Sequence, residues 1–154
     1  MKKFIILIPV YNDWKSVFKL LKNIDIHITN WNAEVSVLIF NDASIEEKPV
    51  ENFKFEKLKS VKIINMKKNR GHARCNAAGL KFIIEKENFD YVIPMDGDGE
   101  DRPEELISLF NKSRENPLKT VTLDRIKRSE GFFFKLLYEC HKILTYIFTG
   151  KLVK

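Results

Sequence analysis

Tyr91-Val92-Ile93-Pro94-Met95-Asp96-Gly97-Asp98-Gly99-Glu100-Asp101-Arg102-Pro103-Glu104 is the stretch that decides how this chain reads. Its apolar start, Tyr91 to Met95, has the composition of a buried strand. From Pro103 a helical pattern begins, with proline in the first turn, where its missing N–H does no harm. Between the two stand Asp96 and Asp98. Like charges repel, and an unpaired buried carboxylate is expensive. A divalent cation removes that cost: Mg²⁺ and Mn²⁺ take oxygen ligands, and Mg²⁺ is commonly shared between one or two carboxylates and substrate phosphates. The run therefore reads as a metal–phosphate site at a strand end. A solvated turn capping the next helix is the alternative, and Gly99 allows either.

Working outward, the same arrangement recurs. Phe4-Ile5-Ile6-Leu7-Ile8 is a continuous apolar run, as expected of a strand buried on both faces, and Pro9-Val10-Tyr11-Asn12-Asp13 ends it. Asp13 or Asn12 can cap the following helix, whose Val17, Leu20, Leu21, Ile24 and Ile28 keep helical spacing. Val35 to Phe40 predicts a second strand, ending in Asn41-Asp42-Ala43-Ser44. Lys48 to Ser60 is polar and irregular. Val61 to Ile64 predicts a third strand, and Asn69-Arg70-Gly71-His72 opens a helix carrying Ala73, Ala77, Leu80, Ile83 and Ile84. Tyr91 to Met95 is the fourth strand, Pro103 to Asn116 a helix, and Thr120 to Leu123 a fifth strand.

Strands alternating with helices imply an α/β fold with an open, mostly parallel sheet flanked by helices. Ligands of such sheets bind beyond the carboxyl ends of the strands. The small polar and acidic residues of this chain fall at those ends.

The length of 154 residues suits one domain, and 44% hydrophobic residues, among them 12 Phe, supply a core. A net charge of +6 points to an anionic partner. Nucleic acid is set aside, because the basic residues are scattered and no base-stacking motif accompanies them. Cys75 and Cys140 have neither metal nor disulfide spacing and read as reduced thiols of a cytoplasmic protein. Lys2-Lys3 followed by Phe4 to Val10 is too short for a signal peptide, and no stretch reaches the ~18 apolar residues of a membrane span. Arg125, Lys127 and Arg128 precede a strongly apolar helical pattern over 131–149, with Lys135, Glu139, His141 and Lys142 on its polar side. Packing on the sheet and lying at the inner face of a membrane both suit it.

Taken together, these residues resemble the catalytic domain of glycosyltransferase family 2, which has the GT-A fold. The opening "IPVYND" is similar to the family's Pro-x-Tyr-Asn-Glu, "NDAS" to its Asp-Asp-x-Ser, "NRGHARCNAAGL" to its Asn-x-Gly helix start, and "MDGDGEDRPEEL" to its Asp-x-Asp segment. Within the family, "DRIKRSEGFFFKLLYECHKILTYIFTG" is most similar to the polyprenyl-phosphate branch, the dolichyl-phosphate mannose synthase type. Asn41 stands where the family more often has Asp, and Glu100 where that branch usually has Gln. Family members continue with acceptor-side elements after the point where this sequence ends, so the resemblance implies a donor-binding part, truncated or completed by another polypeptide.

The resemblance implies a metal-dependent, inverting transfer of sugar from a UDP- or GDP-sugar to an acceptor, for which a polyprenyl phosphate is one candidate. It divides the chain into a nucleotide-sugar-binding domain, 1–130, and an amphipathic helix, 131–149. Asp96 and Asp98 would be the catalytic pair, holding Mg²⁺ or Mn²⁺ with Glu100. Pro9, Tyr11, Asp13, Asp42, Asn69, Gly71, Arg74 and Asp96 would bind the donor, and Arg125 and Arg128 an acceptor phosphate. A non-catalytic donor-binding fragment, or a membrane-associated partner of a glycosyltransferase, is the alternative. A dinucleotide-binding dehydrogenase would need Gly-x-Gly-x-x-Gly after the first strand, where this chain has "PVYND".

Overall fold

The computed structural model describes residues 1–48, 54–117, 119–122, 137–142, 144 and 148. Met1–Val121 forms one compact unit and Thr122–Lys154 a second. In the first unit the chain runs β1 (Lys2–Val10), α1 (Trp14–His27), β2 (Ala33–Asn41), β3 (Ser60–Asn65), α2 (His72–Lys86) and β4 (Tyr91–Pro94), then a 3₁₀ turn (Pro103–Glu105) that leads into α3 (Leu106–Glu115). All four strands are parallel, in the order β3-β2-β1-β4. The first four expected strands and the three helices between and after them are present in the expected order, β1 to β3 run longer than their apolar cores suggested, and most of the expected 131–149 helix lies outside the described residues. The expected fifth strand is not found over Thr120–Thr122, and Leu123 lies outside the described residues.

β1 is buried on both faces, which explains its unbroken apolar sequence. Phe4, Ile6 and Ile8, with Val35, Val37 and Ile39 of β2, pack on one side against Val17, Leu21 and Ile24 of α1 and Leu106 and Phe110 of α3. Ile5 and Leu7, with Leu38 and Phe40, pack on the other against Cys75 and Ile83 of α2. At Gly79 a Cβ would lie 2.6 Å from Leu7 Cδ1, so this position lets α2 press onto β1. Trp31 stacks on Phe110 at 4.5 Å between centroids and meets Phe4 edge-on at 5.6 Å, closing the end of the core remote from the site.

Asp13 caps α1 by accepting the Ser16 N–H at 3.2 Å. Farther along α1, Asp25 accepts N–H bonds from Glu56 (2.9 Å), Lys57 (2.9 Å) and Leu58 (2.7 Å), tying the approach to β3 onto the helix. Burial pushes this carboxyl up, but the three N–H groups outweigh it and hold the carboxyl below its ordinary value.

The strand order places the topological switch between β1 and β4. After β1 the chain moves outward to β2 and β3, then returns through α2, on the opposite face from α1, to the far side of β1. A crevice beyond the carboxyl ends of β1 and β4 is the expected ligand position.

In the second unit, residues 137–142, 144 and 148 are helical, and Leu137, Leu144 and Phe148 are exposed. Lys142 pairs with Glu139 at 2.6 Å. Among the described residues no helix is long and apolar enough to cross a membrane.

Candidate active site

The strand exits are joined to one another by backbone and side chain. Asp42 N–H donates to Val10 O at 2.8 Å, Met66 N–H to Asn41 O at 2.8 Å and Met95 N–H to Leu7 O at 2.9 Å, so pairing continues to the last residues of each strand. Pro9 is buried at the centre of this edge, while Tyr11 emerges 47% exposed.

Asp42 is 3% exposed, and both of its carboxylate oxygens are engaged. Oδ1 accepts the Arg70 N–H and Oδ2 the Gly71 N–H, each at 2.8 Å. Asn69 Oδ1 takes a share of the same Gly71 N–H at 3.1 Å. The carboxylate thus holds the entry to α2 against the end of β2. Gly71 has φ +83° and open space where a Cβ would stand, so it is a turn glycine rather than one of close approach. Arg74 follows on the exposed first turn of α2. Beneath it Cys75 donates to Phe40 O at 3.4 Å. Burial, with a contribution from the Asp42 charge, pushes the Cys75 thiol up to about 11, so it is an inert core group.

The turn after β4 is closed on itself. Asp101 Oδ2 accepts the Asp96 N–H at 2.8 Å, and Asp98 Oδ1 accepts the Glu100 N–H at 2.9 Å. Gly99 takes φ +87°. Gly97, which the sequence reading did not single out, sets the position of this turn. A Cβ there would lie 2.9 Å from Val17 Cγ2, 3.2 Å from Pro9 O and 3.3 Å from Ile8 Cγ2. The acidic turn therefore rests directly on the exit of β1, and the only hint in the sequence is the smallest residue between two aspartates.

Asp96 is half exposed and faces His72, whose Nε2 lies 3.4 Å from its Oδ1 and 3.0 Å from Asn76 Nδ2. Burial above all raises the Asp96 carboxyl from its ordinary value. His72 pulls it the other way, while Asp101, Asp98 and Glu100 add to the rise. Four carboxylates within six residues are thus crowded beside one imidazole. Among the described residues no three His, Cys, Asp or Glu side chains are grouped to hold a metal by themselves. The oxygen donors of Asp96, Asp98 and Glu100 are of the type that hard cations take.

Pro9, Tyr11, Asp42, Asn69, Gly71, Arg74, Asp96, Asp98 and Glu100 accordingly all lie at this one edge of the sheet. Asp13 is also there, with its side chain spent on capping α1. Arg125 and Arg128 lie outside the described residues. A cavity of about 280 Å³ opens beside the ends of β2 and β3, lined by Trp14, Asn41, Glu46, Lys48, Ile63 and Asn65, and none of the expected site residues lines it.

Comparison with known proteins supports this fold. An uncharacterized protein of Methanocaldococcus jannaschii, MJ0544, is 29% identical over 110 residues, covering 70% of this chain and 45% of the relative. Staphylococcus aureus TarS residues 1–349 superimposes with a TM-score of 0.52 at 20% identity over 84% of this chain and 39% of TarS. TarS 1–349 in complex with UDP-GlcNAc gives the same score at 22% identity, and in complex with UDP at 20%. The chain thus spans less than half the length of these relatives. Residues 5–153 match the family described as Glycosyl transferase family 2, and the chain belongs to it.

Proposed function

We propose that this member of glycosyl transferase family 2 binds a nucleotide-diphospho-sugar in the crevice between β1 and β4 and serves its transfer to an acceptor. The observation that carries the reading is the Asp96-Gly97-Asp98 turn seated on Pro9 at the topological switch point, where a phosphate-bearing ligand meets an α/β sheet. The complexes of TarS with UDP and UDP-GlcNAc support a uridine donor.

In this reading Pro9 and Tyr11 frame the base, and Asp42 keeps the Arg70–Gly71 amides and the start of α2 in place for the nucleoside and diphosphate. The α2 N-terminus and Arg74 add a field that favours anions. Asp98 and Asp96, with Glu100 alongside, would hold Mg²⁺ or Mn²⁺. Such a cation supplies neutralisation of the charge that builds on the leaving diphosphate. The acceptor attacks the anomeric carbon from the opposite face, so the configuration inverts. A polyprenyl phosphate acceptor is already anionic and needs little general base, whereas a hydroxyl acceptor needs one. Arg125 and Arg128 before the 131–149 segment are the residues proposed to meet an acceptor phosphate at a membrane surface; their sequence supports this.

Calorimetric titration of the chain with UDP, GDP and their sugar conjugates, with and without Mn²⁺, tests the reading. Metal-dependent binding of one nucleotide, lost in Asp98→Asn, is the expected result. A folded chain that binds none of them overturns it.

A further inference from the structure

Among the described residues, two other than glycine occupy the left-handed backbone region, Asn12 and Ala43, each at φ 58°. Asparagine tolerates this conformation through local side-chain bonds, whereas alanine is strained there and has no side-chain bond to offset it. One follows Tyr11 at the exit of β1, and the other follows Asp42 at the exit of β2. Ser44 joins them. Its backbone N–H (2.9 Å) and its hydroxyl (2.6 Å) both donate to Asn41 Oδ1, closing a loop over Ala43. Its Oγ in turn accepts the Asn12 N–H at 2.9 Å. Asn12 returns the clasp, because its Oδ1 accepts the N–H groups of Ile45 (2.8 Å) and Glu46 (3.2 Å). Asn41 Nδ2 donates to Asn65 Oδ1 at 2.9 Å, which extends the chain of bonds to the end of β3.

We propose that Ser44 is a positioning residue of the donor site. One hydroxyl, donating to β2 and accepting from the turn after β1, holds two left-handed turns in register and so fixes the backbone that carries Tyr11 next to the backbone that carries Asp42. Asn41 suits this brace because its amide supplies an acceptor to Ser44 and a donor to Asn65 at once, which a carboxylate cannot. The inference rests on the donor-binding reading above.

The test compares wild type, Ser44→Ala and Ser44→Thr by amide hydrogen exchange and by titration with UDP and GDP in the presence of Mn²⁺. Ser44→Ala removes the acceptor of the Asn12 N–H, so exchange at Asn12, Ile45 and Glu46 accelerates together. Nucleotide affinity falls about tenfold while thermal unfolding stays cooperative. Ser44→Thr restores the hydroxyl and returns both readouts to within about threefold of wild type. If Ser44→Ala does not fold, Asn12→Gly keeps the left-handed backbone, removes the acceptor of Ile45 and Glu46, and carries the same comparison. Unchanged exchange in the variant overturns the brace. Accelerated exchange with an affinity within about twofold of wild type overturns the positioning role. A wild-type chain that binds neither nucleotide overturns the donor reading and the positioning role with it, and the exchange data still report separately on the clasp.

Discussion

The exits of β1, β2 and β3 share one edge of the sheet with the exit of β4, yet the two regions are held in opposite ways. At the first three, side chains bond from one exit to another: Asp42 takes two amides, Ser44 joins Asn12 to Asn41, and Asn41 reaches Asn65. The β4 exit has Asp98 and Glu100 exposed, holds the Asp96 and Glu100 N–H groups on carboxylates of its own turn, and brings like charges near a half-exposed Asp96. One half of the crevice is braced by bonds between strand exits, and the other gathers carboxylates, with His72 facing Asp96. Stability and ligand binding should therefore separate between them.

The largest separation is expected from Asp42→Ala against Asp98→Asn. Removing the Asp42 carboxylate takes the acceptor from the Arg70 N–H, leaves the Gly71 N–H only its bond to Asn69, and should cost about 1–3 kcal/mol in urea unfolding. Asp98→Asn keeps an oxygen for the Glu100 N–H and sits in solvent, so stability should move by less than about 0.5 kcal/mol. Its Mn²⁺-dependent nucleotide affinity should fall at least about a hundredfold, because an amide is a poor replacement for an anionic ligand. Equal loss of stability in both variants would erase the distinction between the regions.

Next comes Gly97→Ala, which probes the seam where the regions touch. Its Cβ would press on Val17 Cγ2 and on the Pro9 carbonyl, and backbone yields less readily than a side chain. Overpacking of this kind costs about 1–3 kcal/mol and should lift the acidic turn off β1, weakening nucleotide binding about tenfold. If the Gly97→Ala variant binds nucleotide as wild type does, the turn is not positioned by this contact.

Much of this edge was legible in the sequence. Apolar runs that stop at Asn, Asp or Pro marked the four strand ends, and Pro103 marked the next helical segment. The partners were not legible, because the groups that Asp42 and Asn12 hold are backbone amides 28 to 34 positions away, and an amide leaves no mark in sequence. Gly71 read as either a turn or a close approach, and the sequence could not choose, since both ask for the same missing side chain. Gly97 is the position where close approach decided. Thr120 to Thr122 shows the converse: β-branched residues favour a strand only where a neighbouring edge pairs with them.

Asp25 offers a moderate test from outside the site. Its carboxyl lies below the ordinary value of 3.8 in the folded chain, so its contribution is fully present above that pH and is lost as pH falls through the lower, folded value. Asp25→Asn should destabilise by about 1–2 kcal/mol at pH 7, and the difference from wild type should shrink in urea melts taken toward pH 3.

The smallest effect belongs to Asp96, and its sign is the informative part. Its carboxyl is raised in the folded chain, so ionisation there works against folding, the reverse of Asp25. Asp96→Asn should stabilise the metal-free chain at pH 7 by a few tenths of a kcal/mol, a small gain because water screens a half-exposed group. The same substitution should weaken Mn²⁺-dependent nucleotide binding. A variant that loses both stability and binding would place Asp96 with the braced exits of β1 to β3. One that gains stability while losing binding would show that burial of the Asp96 charge, with its like-charged neighbours, works against folding in the free chain while the same carboxylate serves the ligand.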